Sequence, residues 1–311
     1  MNMKTVYLNK FMSSVVAELE MNGQYGTAHV CGSVLRSVMA FDGEGLPVSG
    51  ITPLWLKAYE GYLLHKGGKG LSWNTVSTYM RMLQAVYNRA VVRKLAAFIP
   101  HQFRDVFTGR KADHRRVLER DDMQKLLVER EPDITSPGMA WARACLELMF
   151  RFHGMPFVDL AHLRKSDLKD GYLTLRRRKT GMPLSARVDG RAMQLLERYR
   201  NRDDTSPYLL CFLDGNLEGM AAYRDYQRIL RLLNSRLRAL ALWKKVQGKV
   251  TSYSARHTWA TVGRYCHIPI EVISEGLGHA SVTTTEGYMK GFGNSRMDRA
   301  NKVIMNYIFK G

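Results

Sequence analysis

Four groups of residues stand out in this 311-residue chain by their types and spacing. Thr251 to Thr261 reads T-S-Y-S-A-R-H-T-W-A-T, where Ser252 or Ser254 is suited to start a helix with Arg256 in its first turn. Backbone N–H groups at that end of a helix already favour an anion. Gly276 to His279 reads G-L-G-H and closes a helix predicted to start at Pro269. Tyr288 follows His279 by nine residues, just past the run Thr283-Thr284-Thr285. The last group is R-R-R-K-T-G, Arg176 to Gly181, with Lys179 at a predicted hairpin tip. A guanidinium, an imidazole, an ammonium and a phenol can between them bind an anion, move a proton and attack as a nucleophile. Taken singly, each has an ordinary explanation: a lone Tyr packs in a core, and a basic run is a solvated cluster. Their joint order carries the weight.

In that order the four groups resemble the tyrosine recombinase (phage integrase) family. Its catalytic domain carries an Arg, a hairpin Lys, a His-x-x-Arg, a Leu-Gly-His and a nucleophilic Tyr. The likeness is strongest to the integrases and DNA invertases of Bacteroides-type elements. They share F-V-D-x-A-x-L-x-K-x-D-L (Phe157 to Leu168), R-R-K-T-G (Arg177 to Gly181) and Y-x-A-R-H-x-W-A-T (Tyr253 to Thr261). N-T-V-S-T-Y-M-R (Asn74 to Arg81) is similar to the family's helical core-binding domain.

The resemblance implies a division of labour on a phosphodiester. Arg256 clamps the non-bridging oxygens bidentately, which Lys cannot do. His279 donates a hydrogen bond to the same phosphate or shuttles a proton. Lys179 protonates the leaving 5′ oxygen, and Tyr288 becomes a covalent 3′-phosphotyrosine. That link stores the bond energy, so rejoining needs no ATP; no cofactor or metal is implied. Double-stranded DNA is the implied partner, with four protomers in the synapse and an accessory DNA-bending protein compatible with it. The tail from Met297 to Phe309 places Ala300, Val303, Ile304, Tyr307 and Ile308 at helical spacing. In related recombinases such a tail packs into a neighbouring subunit.

Two positions depart from the pattern. Tyr253 stands where most of the family has His; a phenol still hydrogen-bonds a phosphate but is a poorer base. The first arginine is missing at both its usual places, occupied here by Pro156 and His153. His153, Arg151 and Arg177 are the candidates to replace it.

The elements that must hold these residues are mostly helical. From about Leu8 to Leu95 the pattern is helical, clearest after Ser72, an N-cap type. There Val76, Met80, Leu83, Tyr87 and Val91 form an apolar stripe, while Asn74, Thr78 and Arg81 fall off it, on a face suited to phosphates. Pro100 to Arg116 is polar, basic and without apolar period, and reads as a linker. Helices are expected from about Glu119 to Glu129 and from Gly138 to Phe152. A hairpin pairs Tyr172 to Leu175 with Leu184 to Val188, its tip offering Arg177 to DNA alongside Lys179. Helices then resume from Arg191 to the end. With the resemblance, this gives a mainly α fold: a SAM-like core-binding domain at 1–104, a linker at 105–117 and a catalytic domain with a small antiparallel hairpin at 118–311.

Composition agrees with a nucleic-acid partner. The net charge is +19, and such charge attracts polyanions. Up to Arg104 there are 11 Lys and Arg against 5 Asp and Glu, and the remainder has 36 against 23. Both parts are therefore basic, as in a protein that holds a duplex from two sides. The cysteines Cys31, Cys145, Cys211 and Cys266 lie far apart without metal-ligand spacing, so each is expected to pack as a small apolar residue. The N-terminus lacks a signal-peptide pattern and no apolar run is long enough to cross a membrane, which points to the bacterial cytoplasm. No arm-binding domain is foreseen ahead of Leu8, which favours a simple integrase or invertase. Two other readings share the motifs: a type IB topoisomerase, and a DNA-binding protein whose catalysis has decayed at the first-arginine position.

Overall fold

The structure, a computed structural model, describes residues 5–111, 117–128, 136–279, 281–286 and 301. The chain divides into two compact units between residues 112 and 113, with 218–223 counted in the first.

The first unit is built from α1 (Leu8–Met21), α2 (Tyr25–Asp42), α3 (Pro53–His65) and α4 (Trp73–Val92). Both α3 and α4 start on a side-chain cap: Thr52 accepts from the Trp55 N–H at 3.2 Å and Ser72 from the Thr75 N–H at 3.3 Å. Each cap satisfies one of the donors a helix start leaves open. The stripe Val76, Met80, Leu83 and Tyr87 is buried in the unit's core with Met12, Leu56 and Tyr59. The polar stretch after Arg104 stays on this unit as far as Lys111. Phe107 donates its N–H to Glu60, Ser77 donates to the Gly109 carbonyl at 2.6 Å, and Asn74 exchanges two hydrogen bonds with the Lys111 backbone.

The second unit centres on α6 (Pro137–Arg151), buried on nearly every side through Ala142, Cys145, Leu146, Leu148 and Met149. A helix buried on nearly every side belongs in the middle of its domain, and here Arg143 and Glu147 are buried along with the apolar residues. Around it lie α5 (Arg120–Leu127), α7 (Phe157–Ala161), α8 (Gly190–Arg198) and, from Arg224 onward, the long α9 (Gly219–Trp243). The remaining helices are α10 (Ser254–Tyr265), which packs on α6, then α11 (Ile270–Gly276) and α12 (Val282–Glu286).

A three-stranded antiparallel sheet in the order β1 (Leu168–Lys169), β2 (Tyr172–Arg176) and β3 (Pro183–Arg187) completes the unit. Leu173 pairs with Ala186 and Leu175 with Leu184, so the apolar side chains share the core face. The sheet adds a strand to the expected hairpin: Asp170-Gly171, both at positive φ, turn β1 into β2. The cysteines split, with Cys31 and Cys145 buried but Cys211 and Cys266 exposed. Among the described residues no helix is long and apolar enough to cross a membrane.

Candidate active site

Arg256 is the third residue of α10 and is 3% exposed. The helix starts one residue past Tyr253, and neither Ser252 nor Ser254 caps it. Ser254 instead turns its hydroxyl back to accept from the Thr251 N–H at 3.0 Å. A buried guanidinium is costly unless its donors are met. Here Nη1 donates to the Gly154 carbonyl at 3.0 Å, and Nη2 donates to the Leu277 carbonyl at 2.7 Å and to His279 Nε2 at 2.7 Å.

Those bonds decide the state of His279. An arginine nitrogen only donates, so Nε2 is the acceptor and carries no proton. The ring proton then sits on Nδ1, which donates to Thr285 Oγ1 at 2.8 Å. Burial, with the guanidiniums of Arg256 and Arg177 beside it, pushes the imidazole down to about 4. At neutral pH His279 is thus an uncharged base with its lone pair facing Arg256.

A second guanidinium reaches the same turn from the sheet. Arg177 follows the last residue of β2 and is 6% exposed. Its Nη1 donates to the Leu277 carbonyl, which Arg256 also uses, and to the Gly278 carbonyl at 3.3 Å. Asp159 on α7, 2% exposed, orients it: Oδ2 accepts from Arg177 Nε at 3.1 Å, and Oδ1 from the Arg178 backbone N–H at 3.0 Å. Gly278 makes the approach possible. It lies at φ +61°, and a Cβ there would stand 2.6 Å from Arg177 Cδ.

The other residues singled out in the sequence lie apart from this cluster or outside the described residues. Lys179 is exposed in the turn between β2 and β3, which closes through Gly181 N–H to the Arg177 carbonyl at 2.8 Å. Tyr253 is 43% exposed and tilts against His257. His153 stands at φ +56°, its ring 5.6 Å from that of Trp259, beside a cleft of about 390 Å³ that Leu184, Val272 and Glu275 also line. Burial lowers its pKa. Arg151 is paired with Glu147 at 2.9 Å and Asp189 at 2.5 Å. In the first unit, Asn74 is engaged with Lys111, Thr78 donates to the Asn74 carbonyl, and Arg81 Nε donates to the Ser77 carbonyl at 3.4 Å. Tyr288 and the tail from Met297 to Phe309 lie outside the described residues, apart from Asn301.

Residues 7–104 match the phage integrase SAM-like domain, and residues 116–292 match the phage integrase family. The second match alone takes in more than half of the chain. The chain belongs to the phage integrase family. Among curated relatives, the tyrosine recombinase XerA of Pyrococcus furiosus is 29% identical over 140 residues, 44% of this chain and 46% of that one. The chain therefore spans about half the length of that relative. The putative integrase/recombinase y4gC of Sinorhizobium fredii is 27% identical over 180 residues, 56% of this chain and 88% of that one.

Solved structures share the fold. A lambda integrase dimer bound to a COC′ core site superimposes with a TM-score of 0.66 at 18% identity, covering 93% of this chain and 97% of that one. The Tn1549 transposon integrase in complex with transposon right end DNA gives 0.65 at 17% identity, covering 97% and 99%. The mostly helical architecture with a small antiparallel sheet is thus that of the integrases.

Within this family frame, two contributors escaped the sequence reading. In the sequence Asp159 is only one letter of F-V-D-x-A, and Thr285 only one of three threonines. Their signal was weak because each acts on a partner that is distant or drawn from a different element. Asp159 meets Arg177 from 18 residues away. Thr285 differs from Thr283 and Thr284 in being buried, which sequence alone does not reveal.

Proposed function

We propose that this protein is a site-specific DNA recombinase that cuts and rejoins duplex DNA through a covalent 3′-phosphotyrosine at Tyr288, in integration, excision or inversion. The observation that carries this reading is the convergence of two buried guanidiniums and a neutral imidazole on the turn Leu277–His279, nine residues ahead of Tyr288. Such preorganised donors stabilise charge developing on a phosphate without reorganising during the reaction.

In the forward step the phosphate takes over the Arg256 donor that His279 Nε2 held, and Tyr288 Oη attacks the phosphorus as its proton passes to that nitrogen. The bond from phosphorus to the 5′ oxygen breaks, and that oxygen takes a proton from Lys179. Arg256 and Arg177 hold the non-bridging oxygens, with Arg177 taking the place of the missing first arginine from the sheet side. Tyr253 adds a hydrogen bond from the exposed start of α10. Rejoining reverses these steps with a 5′ hydroxyl as nucleophile. Residues 1–104 act as the core-binding domain, with Asn74, Thr78 and Arg81 toward the phosphates, 105–117 as the linker and 118–311 as the catalytic domain. Recombination at paired sites requires a tetramer, which exchange of the Met297–Phe309 tail links together.

The test is incubation with a nicked suicide duplex carrying the cognate crossover site. The wild-type chain is expected to form a covalent 3′-phosphotyrosyl adduct that Tyr288→Phe does not form. Equal adduct from the mutant overturns the reading.

A further inference from the structure

We propose that Thr285 is a positioning residue: its hydroxyl holds the His279 ring in the Nδ1–H tautomer. The proposal rests on the recombinase reading for its effect on cleavage, but the state of the ring is testable without it.

The geometry is specific. Thr285 is fully buried in α12, while Thr283 and Thr284 of the same run are exposed. Its Oγ1 lies 2.8 Å from His279 Nδ1, and Arg256 Nη2 lies 2.7 Å from Nε2 on the other side of the ring. Arginine fixes one nitrogen as an acceptor, so the other must donate, and the hydroxyl is what it donates to. A buried hydroxyl without a partner costs about 1–3 kcal/mol, so a threonine whose only task was packing would be better replaced by valine. The pairing also settles which way the imidazole acts. With the proton held on Nδ1, Nε2 stays an acceptor, its lone pair directed at Arg256 Nη2.

The experiment compares Thr285→Val, which keeps the shape and removes the hydroxyl, with Thr285→Ser, which restores it. Imidazole nitrogen chemical shifts of the full-length free protein, assigned to His279 by their loss in His279→Asn, report the tautomer. The Nδ1–H form is expected in the wild type and in Thr285→Ser, and loss of its dominance in Thr285→Val. On the suicide duplex, Thr285→Val is expected to cleave about 100-fold more slowly, the low end of what positioned acid–base catalysis contributes, with Thr285→Ser close to wild type. An unchanged tautomer in Thr285→Val overturns the proposal, and so does slow cleavage with the tautomer intact, which would mean a packing role. Absence of any adduct from the wild type would instead count against the recombinase reading, leaving the tautomer result standing.

Discussion

Arg177 and Arg256 reach one carbonyl, that of Leu277, from the end of β2 and the start of α10. Arg256 arrives on a helix start whose motif is local, so its place was legible from the eleven consecutive letters Thr251 to Thr261. Arg177 was legible only as a charge on a hairpin, and as one of three candidates for the missing arginine. What fixes it is non-local: a carboxylate on α7 and two carbonyls a hundred residues further on. Arg151 is held in a carboxylate network, while the His153 ring lies against Trp259 at the side of a cleft. The three candidates therefore separate by mutation. Arg177→Lys keeps a positive charge but loses the planar fork. It is expected to slow cleavage of the suicide duplex roughly 100- to 1,000-fold, as removal of one preorganised donor does, with duplex affinity little changed. His153→Ala is expected to cleave at close to the wild-type rate. Slow cleavage by His153→Ala beside a normal Arg177→Lys would move the first phosphate clamp to the histidine.

At the scale of elements, what the sequence announced was whatever local chemistry controls. Ser72 caps α4 and the four-three-four spacing of its apolar residues is the buried face. The extra strand β1 was also signalled, by Asp170-Gly171, but two residues are too few for an alternation to show. Ser254 does start α10 with Arg256 in its first turn, but a serine near a helix start can bond backward as readily as forward, and here its hydroxyl serves the Thr251 N–H. The turn between α11 and α12 was readable as G-L-G-H, although not why its second glycine is needed. Gly278 sits at φ +61° under the Arg177 side chain, whereas Gly181 sits at φ +69° with open space around its Cβ position. Gly181→Ala is then expected to cost only the left-handed backbone penalty, about 1–2 kcal/mol. Gly278→Ala meets that penalty plus a clash with a buried, ion-paired arginine, so a loss of about 3 kcal/mol or more is expected. It should also depress cleavage, because the displaced side chain is Arg177. Urea denaturation of both variants beside the suicide-duplex assay checks this, and equal stability losses would show that the turn yields to the added methyl.

For the whole molecule, the sequence made the two parts visible through charge and period rather than through any boundary motif. Each unit has its own apolar core, and each part of the chain is basic, with 11 Lys and Arg against 5 Asp and Glu up to Arg104 and 36 against 23 beyond. The ends of the polar stretch between them were less legible, because Asn74, Ser77 and Glu60 hold it by hydrogen bonds that leave no apolar pattern. Positive charge on both units has a thermodynamic consequence if both lie against one duplex. Each phosphate neutralised releases condensed counterions, so log affinity falls linearly with log salt at about 0.9 per contact. Contacts from two units would number roughly six to ten, and affinity would then fall about 10³- to 10⁵-fold between about 50 and 200 mM salt. Fluorescence anisotropy with a labelled duplex measures this slope. The cognate and a scrambled duplex are expected to give nearly parallel lines offset in affinity, since phosphate contacts carry the salt dependence and base contacts the offset. Residues 1–104 and 118–311, measured separately, should each give a shallower slope. If one fragment alone reproduced the slope of the full chain, the charge on the other would not face DNA, and the two-sided grip on the duplex would be wrong.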